Sequence, residues 1–272
     1  MRLKDKVIVV TGSTRGIGRA IAGACGQEGA RLVVCSRDPA AVARTLKQLQ
    51  DEGSQVSGLP IDVSRPADLE RLLRYADETW GRVDVWVNNA GLSAGLLPLE
   101  ETSPECIARV VGTNLLGTLY ACRLVLPYLV GKGGGVLLNM SGKGGRGDPS
   151  PFLTTYAATK AAVISLTQSL AREYKGRPVS IHSILPGMVA TDFYEDVQAS
   201  PRLEGMVRDV PLALRAFGVP VDEVAQRVVE LAAQEPGKVT GKNYALLGPW
   251  RMMRGGMLMA WYRLTGRLSG AV

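Results

Sequence analysis

The sequence predicts an α/β fold, a doubly wound parallel sheet of about seven strands with helices on both faces. Three observations predict it. Short β-branched runs alternate with longer amphipathic stretches from the first residues onward. The strand-like runs are apolar throughout rather than every second residue, as strands buried on both faces require. The first run also ends in a glycine-rich turn that opens a helix. Parallel strands need right-handed crossovers, which put helices on both faces and leave ligands to bind beyond the carboxyl ends of the strands.

Taken in order, Val7-Ile8-Val9-Val10 is the first strand and Ile17 to Glu28 the first helix. Arg31 to Ser36 reads as strand two, Ala40 to Asp51 as a helix, and Val56 to Ile61 as strand three. Ala67 to Trp80 is helical, Val83 to Val87 is strand four, and one long helix runs from Ser103 to Leu129. Val136 to Met140 is strand five, Thr155 to Tyr174 a helix, and Val179 to Leu185 strand six. Pro220 to Gln234 is helical, and Tyr244 to Leu247 is a short last strand. No repeat or linker interrupts this order. Residues 1–248 therefore read as one domain and 249–272 as an extension of it.

Length and composition narrow the function classes. A chain of 272 residues with 46% hydrophobic and 21% charged residues can bury a full core in one domain. No run reaches the roughly 18 apolar residues of a membrane span. The N-terminal residues lack the apolar core of a secretory signal, so a cytoplasmic location is expected. Cys25, Cys35, Cys106 and Cys122 lie far apart without CxxC spacing, as small buried hydrophobes rather than disulfides or metal ligands. His182, the single histidine, falls inside a strand and reads as a core residue, which leaves no basis for a zinc site. The net charge of +7 is scattered with no basic block, so no nucleic-acid partner is expected.

The turn after the first strand reads Thr11-Gly12-Ser13-Thr14-Arg15-Gly16-Ile17-Gly18. Gly12 permits the sharp exit from the strand, Gly16 the approach of a pyrophosphate, and Gly18 close helix–strand packing. A helix starting there points free N–H groups and its positive dipole end at the phosphates. A dinucleotide site preferring NAD ends strand two with a carboxylate for the ribose 2′-hydroxyl. Here Ser36 and Arg37 stand in its place, and Arg15 lies in the turn. Two guanidiniums suit a 2′-phosphate, so NADP(H) is the expected cofactor.

Tyr156 and Lys160 are four apart on a predicted helix and share one face. A free tyrosine titrates near 10, and an adjacent ammonium favours its phenolate, so the pair suits proton exchange with a carbonyl or alcohol. Further motifs follow in register: Asn88-Asn89-Ala90-Gly91 after strand four, Asn114 in the long helix, and Pro186-Gly187-Met188-Val189-Ala190-Thr191 after strand six. Across roughly residues 4–235 these motifs make the chain resemble the short-chain dehydrogenase/reductase family.

That resemblance implies a Rossmann fold and hydride transfer between NADP(H) and a carbonyl or alcohol. It implies that Asp62 and Val63 meet the adenine, and that Asn89, Ala90 and Gly91 line the cleft. Pro186, Gly187, Val189 and Thr191 would cradle the nicotinamide end, and Lys160 would also hold its ribose. Asn114 would hold a water that relays protons to Lys160. Members are dimers or tetramers joined by the helices that here carry Asn114 and Tyr156. The family has two serines at the end of strand five, the second polarising the substrate carbonyl; this chain has Ser141-Gly142. Ser141 is the candidate for that role, with Ser150 as the alternative. The departure also leaves open a second class, an NADP(H)-binding sensor or scaffold with weak turnover.

The pattern of Asn139-Met140 with Gly142, the Pro186–Val189 segment and the arginine-bearing tail are similar to chlorophyll b reductases and their bacterial relatives. That similarity implies a large hydrophobic ketone or aldehyde, and a steroid, an acyl thioester or a quinone suits the same reading. In the tail, Trp250, Met253, Met257, Trp261, Leu264 and Leu268 share helical spacing, with Arg251, Arg254, Arg263 and Arg267 among them and no acid. Three readings stand: packing on the domain or a partner subunit, a flexible flap over substrate, and docking on an anionic membrane through 249–268.

Overall fold

Val7–Thr11 (β1) has no exposed position and lies near the middle of a seven-stranded sheet. This computed structural model describes residues 1–191 and 198–265. On one side of β1 stand β2 (Arg31–Ser36) and β3 (Gln55–Pro60). On the other stand β4 (Val85–Asn88), β5 (Gly135–Met140), β6 (Val179–Leu185) and β7 (Asn243–Ala245), giving the order β3-β2-β1-β4-β5-β6-β7. Every pairing is parallel. The chain winds outward from β1 to β3, then returns to the far side of β1 at β4. That reversal opens a crevice above the carboxyl ends of β1 and β4.

Side chains alternate across the sheet, and each face buries its own helices. Ile8, Val10, Leu32 and Leu138 pack against Ile21 of α1 (Gly16–Gln27), Leu49 of α2 (Pro39–Asp51), and Val224 and Val228 of α8 (Val221–Ala232). Val7, Val9, Trp86 and Leu137 face Leu69 and Leu72 of α3 (Pro66–Trp80), Val125 and Leu129 of α5 (Gly117–Gly131), and Ala171 of α6 (Thr154–Glu173). Each such aliphatic side chain contributes about 1.5–3 kcal/mol on burial. Asp38 caps α2 by accepting the Ala40 N–H.

The single helix expected from Ser103 to Leu129 is instead three segments. Ser103 caps α4 (Pro104–Val111), a π turn spans Gly112–Leu116, and α5 follows. The wider turn admits one extra residue and turns Thr113 and Asn114 inward, both buried. By length and hydropathy the rod Pro104–Gly131 could cross a membrane, but half of its most apolar window is buried against the protein.

The sequence reading leaves 186–219 without an element, whereas the structure places α7 (Glu204–Phe217) there, Pro211 included. The apolar stripe of α7 is intact, but Pro211 is a residue that ordinarily ends a helix. The tail forms α9 (Pro249–Thr265), which packs on α7. Leu268 and Arg267, which the tail reading includes, lie outside the described residues. His182 is buried in β6, edge-on to the Tyr244 ring at 5.5 Å, and burial pushes its pKa down to about 4. Burial likewise pushes the thiols of Cys25, Cys35 and Cys122 up to about 12, while Cys106 is half-buried.

Candidate active site

The exit from β1 is locked to the exit from β4. Thr11 Oγ1 accepts the N–H groups of Asn89 and Ala90, each at 3.0 Å. The Asn89 amide donates back to the carbonyls of Thr11 (2.9 Å) and Gly12 (3.1 Å). Gly12 has φ +63°, and a Cβ there would stand 2.9 Å from the Ala90 Cα, so only glycine lets these two turns meet. At Gly18 a Cβ would overlap the Gly12 carbonyl oxygen. Helix α1 begins at Gly16 without a side-chain cap, so its first N–H groups have no side-chain acceptor.

Ser13 departs from expectation. Its side chain is buried and turned inward, donating to the Val10 carbonyl (2.8 Å) and accepting the Cys35 N–H (2.9 Å). It ties β1 to β2 and does not line the cleft, because the turn alternates its side chains between the crevice and the sheet.

From this turn a cavity of about 270 Å³ follows the crevice. Gly12, Thr14, Arg15, Gly16, Ile17 and Gly18 form its floor at the helix end. Ser36, Arg37, Asp62 and Val63 close one end, and Asn89, Ala90 and Gly91 line the middle. Ser141, Tyr156, Lys160, Pro186, Gly187, Val189 and Thr191 gather at the other end. Cys35, Ile61, Leu92, Thr113, Met140 and Gly142 also line it, though the sequence did not mark them as site residues. Cys35 and Ile61 adjoin chosen residues, so strand geometry could have found them; Thr113 comes in only through the π turn.

At the Ser36 end, burial works to raise the Asp62 carboxyl. The Ser64 hydroxyl and N–H, with the charges of Arg37 and Arg65, outweigh it and hold its pKa below the ordinary value. Asp38, the first acid after β2, is occupied with the cap of α2 and does not line the cavity.

Tyr156 and Lys160 come together as their spacing predicts. The Lys160 ammonium is 5.5 Å from the centroid of the Tyr156 ring and donates to the Met140 carbonyl at 2.9 Å. Its side chain lies in a residue only 5% exposed, and burial pushes its pKa down to about 8. Asn114 and Lys160 share no direct hydrogen bond, though a Cβ on Gly91 would stand 3.4 Å from the Asn114 side-chain oxygen and 3.5 Å from the Lys160 nitrogen. The Asn114 amide accepts the Leu92 N–H (2.7 Å) and donates to the Leu92 carbonyl (2.9 Å) and Thr159 Oγ1 (3.2 Å). The Thr159 hydroxyl in turn donates to the Tyr156 carbonyl at 2.7 Å. Asn114 thus clamps the segment after β4 to the turn that carries the tyrosine.

Ser141 is placed otherwise than its expected role requires. It is 2% exposed, and its hydroxyl donates to the Lys160 main-chain carbonyl at 2.8 Å. The backbone of Gly142 lies against the tyrosine instead: a Cβ there would stand 2.5 Å from the Tyr156 hydroxyl oxygen. One residue of spacing decides this, because successive positions leaving β5 point to opposite sides. Ser150 is a loop residue whose hydroxyl donates to the Asp148 carbonyl, and it does not line the cavity. Beneath the site, Asn88 donates to Asn139 (2.8 Å) and Asn139 to Thr167 (2.9 Å), a buried chain fixing β4, β5 and α6 together.

A parallel sheet with this strand order, a glycine turn at its switch point and a Tyr–Lys pair opposite defines a dinucleotide-dependent oxidoreductase class. The short chain dehydrogenase family model matches residues 6–202. The chain belongs to that family of oxidoreductases, which act on carbonyl and alcohol groups with a nicotinamide cofactor. It is 38% identical over 191 residues to a chloroplastic chlorophyll(ide) b reductase of Arabidopsis thaliana, covering 68% of this chain and 55% of the relative. The chain spans about half the length of such reductases. It is 32% identical over 249 residues to a 3-oxoacyl-[acyl-carrier-protein] reductase of Thermotoga maritima, covering 91% and 98%. Among solved structures, an actinorhodin polyketide ketoreductase with NADPH superposes with TM-score 0.79 at 30% identity, covering 90% and 98%. A Brucella melitensis 3-ketoacyl-(acyl-carrier-protein) reductase with NADH gives 0.78 at 27%, covering 89% and 97%.

The cleft fits a nicotinamide dinucleotide on its own features. The uncapped start of α1 suits a phosphate. The glycines let the exits of β1 and β4 meet at the start of α1, and from there the cavity runs to Tyr156 and Lys160.

Proposed function

We propose that the chain is an NADP(H)-dependent reductase or dehydrogenase of a large, hydrophobic ketone or aldehyde, with Tyr156 as general acid and base. The observation that carries it is the Tyr156–Lys160 pair at the end of the cavity, its ammonium 5.5 Å from the phenol ring. Arg15 and Arg37 would hold the 2′-phosphate of NADP(H), whose nicotinamide supplies or accepts the hydride. Tyr156 donates its hydroxyl proton to the carbonyl oxygen in reduction and takes it back in oxidation. Lys160, protonated at neutral pH, stabilises the phenolate that remains. Asn114 is a positioning residue that holds Leu92 and Thr159. Ser141 is not given the polarising role, since its proton is engaged by Lys160.

Similarity to chlorophyll(ide) b reductases supports a bulky carbonyl substrate. A homodimer or homotetramer through the α4–α5 rod and α6 belongs to the same proposal, supported by the exposed Leu116. A second reading, an NADP(H) sensor with weak turnover, draws on the buried Ser141 hydroxyl. NADPH oxidation measured against a panel of lipophilic aldehydes and ketones separates them. Saturable turnover with at least one member is expected; tight NADPH binding with no turnover on any would favour the sensor.

A further inference from the structure

We propose that α9 is a docking face for an anionic lipid bilayer. Six large apolar side chains of α9 (Trp250, Met252, Met253, Met257, Trp261, Leu264) are exposed, from 45% at Trp261 to 87% at Leu264. At 100° per residue all but Met252 fall within a sector of about 80°.

The helix cannot roll that stripe inward. Its opposite side is seated at Gly255, where a Cβ would overlap the ring of Phe217 on α7. Arg251, on the seated side, is anchored by Glu223 at 2.9 Å and by the Leu246 carbonyl at 3.3 Å. These contacts hold the helix on its own domain while the stripe still faces outward.

Charge selects the occupant. Arg254 is exposed beside the stripe, and residues 249–272 hold four arginines and no acid. Two tryptophans on an apolar stripe with the exposed Arg254 beside it match the headgroup region of an anionic membrane, where indole rings and a long cationic stem both find wet and dry ends. A two-fold contact with a second copy would bring arginine-bearing helices together without a carboxylate on either. At 17 residues with three arginines, α9 is too short and too charged to span a bilayer.

Docking there would set the site close to the lipid surface. Gly218, just past α7, pairs with Met188, one residue from the cavity-lining Val189. Binding to lipid involves no turnover, so this proposal stands or falls apart from the reaction assigned above.

The test is cosedimentation of the full chain with phosphatidylglycerol-containing vesicles and with phosphatidylcholine alone, at low and high salt, alongside tryptophan emission. Wild type should pellet with anionic vesicles, with blue-shifted emission, and less so at high salt. The Met257→Glu/Trp261→Glu variant, with unchanged NADPH binding as proof of folding, should lose about tenfold or more in partitioning. Equal binding of the variant, or no preference for anionic over neutral vesicles, would overturn the proposal. So would a variant whose only change is a lower oligomeric mass, which would make the stripe a subunit contact.

Discussion

Gly142 and the Tyr156 hydroxyl stand closer than any side chain would permit, so the glycine is part of how the phenol is placed. Gly142→Ala should push the hydroxyl aside and lower kcat/KM by about 10²-fold while NADPH binding holds, as steady-state kinetics and a binding titration would show. Lys160 carries a pH signature. Burial lowers its pKa from 10.5 to about 8, so between those values the unfolded chain holds more protons than the folded one. Stability therefore rises with pH across that window, by up to about 3 kcal/mol, and the cost is constant below it. Lys160→Met should remove this rise, which denaturant unfolding of both proteins from pH 7 to about 10.5 checks. Residue types announced the pair itself, since an i, i+4 spacing puts both side chains on one face. They did not reveal where the Ser141 hydroxyl points, because chain direction after β5 turns on a single residue.

At the level of elements, the strands and the glycine turn follow from apolar runs and turn chemistry that no tertiary contact had to override. The π turn does not follow in that way. The amphipathic α4 and the nearly all-apolar α5 both read as plain helix, and only the capture of the Asn114 amide by Leu92 and Thr159 shows why an extra residue is taken up between them. Helix α7 escaped because Pro211 within it reads as a helix breaker. Asn114→Ala would leave the Leu92 N–H and carbonyl without their partner. A loss of about 2 kcal/mol in stability is expected, together with a fall in kcat as the Gly91–Leu92 segment loosens against Tyr156. Calorimetry and kinetics on the same variant would show whether the two losses come together.

Across the whole molecule, the reversal of strand order creates one crevice, and charge divides it. Arg15 and Arg37 line one end, the Tyr–Lys pair stands at the other, and Asp38 is held away on its cap. Arg15→Ala/Arg37→Ala should weaken NADPH binding by more than about tenfold and leave NADH binding nearly unchanged, since only the 2′-phosphate needs the guanidiniums. Equal losses for both nucleotides in fluorescence titrations would contradict that division. The sheet order could be anticipated from handedness and connection rules, whereas the outward-facing stripe of α9 could not. Its spacing shows which residues share a face, but only the seat of Gly255 on Phe217 shows which way that face turns.

The most direct measurement is Tyr156→Phe, assayed for NADPH-dependent reduction of a lipophilic carbonyl beside NADPH affinity. Removing the phenolic proton donor while keeping the ring should cut kcat by about 10²-fold or more, with the nucleotide held as tightly as before. A Tyr156→Phe protein that turns over at the wild-type rate would contradict the assignment of this cleft.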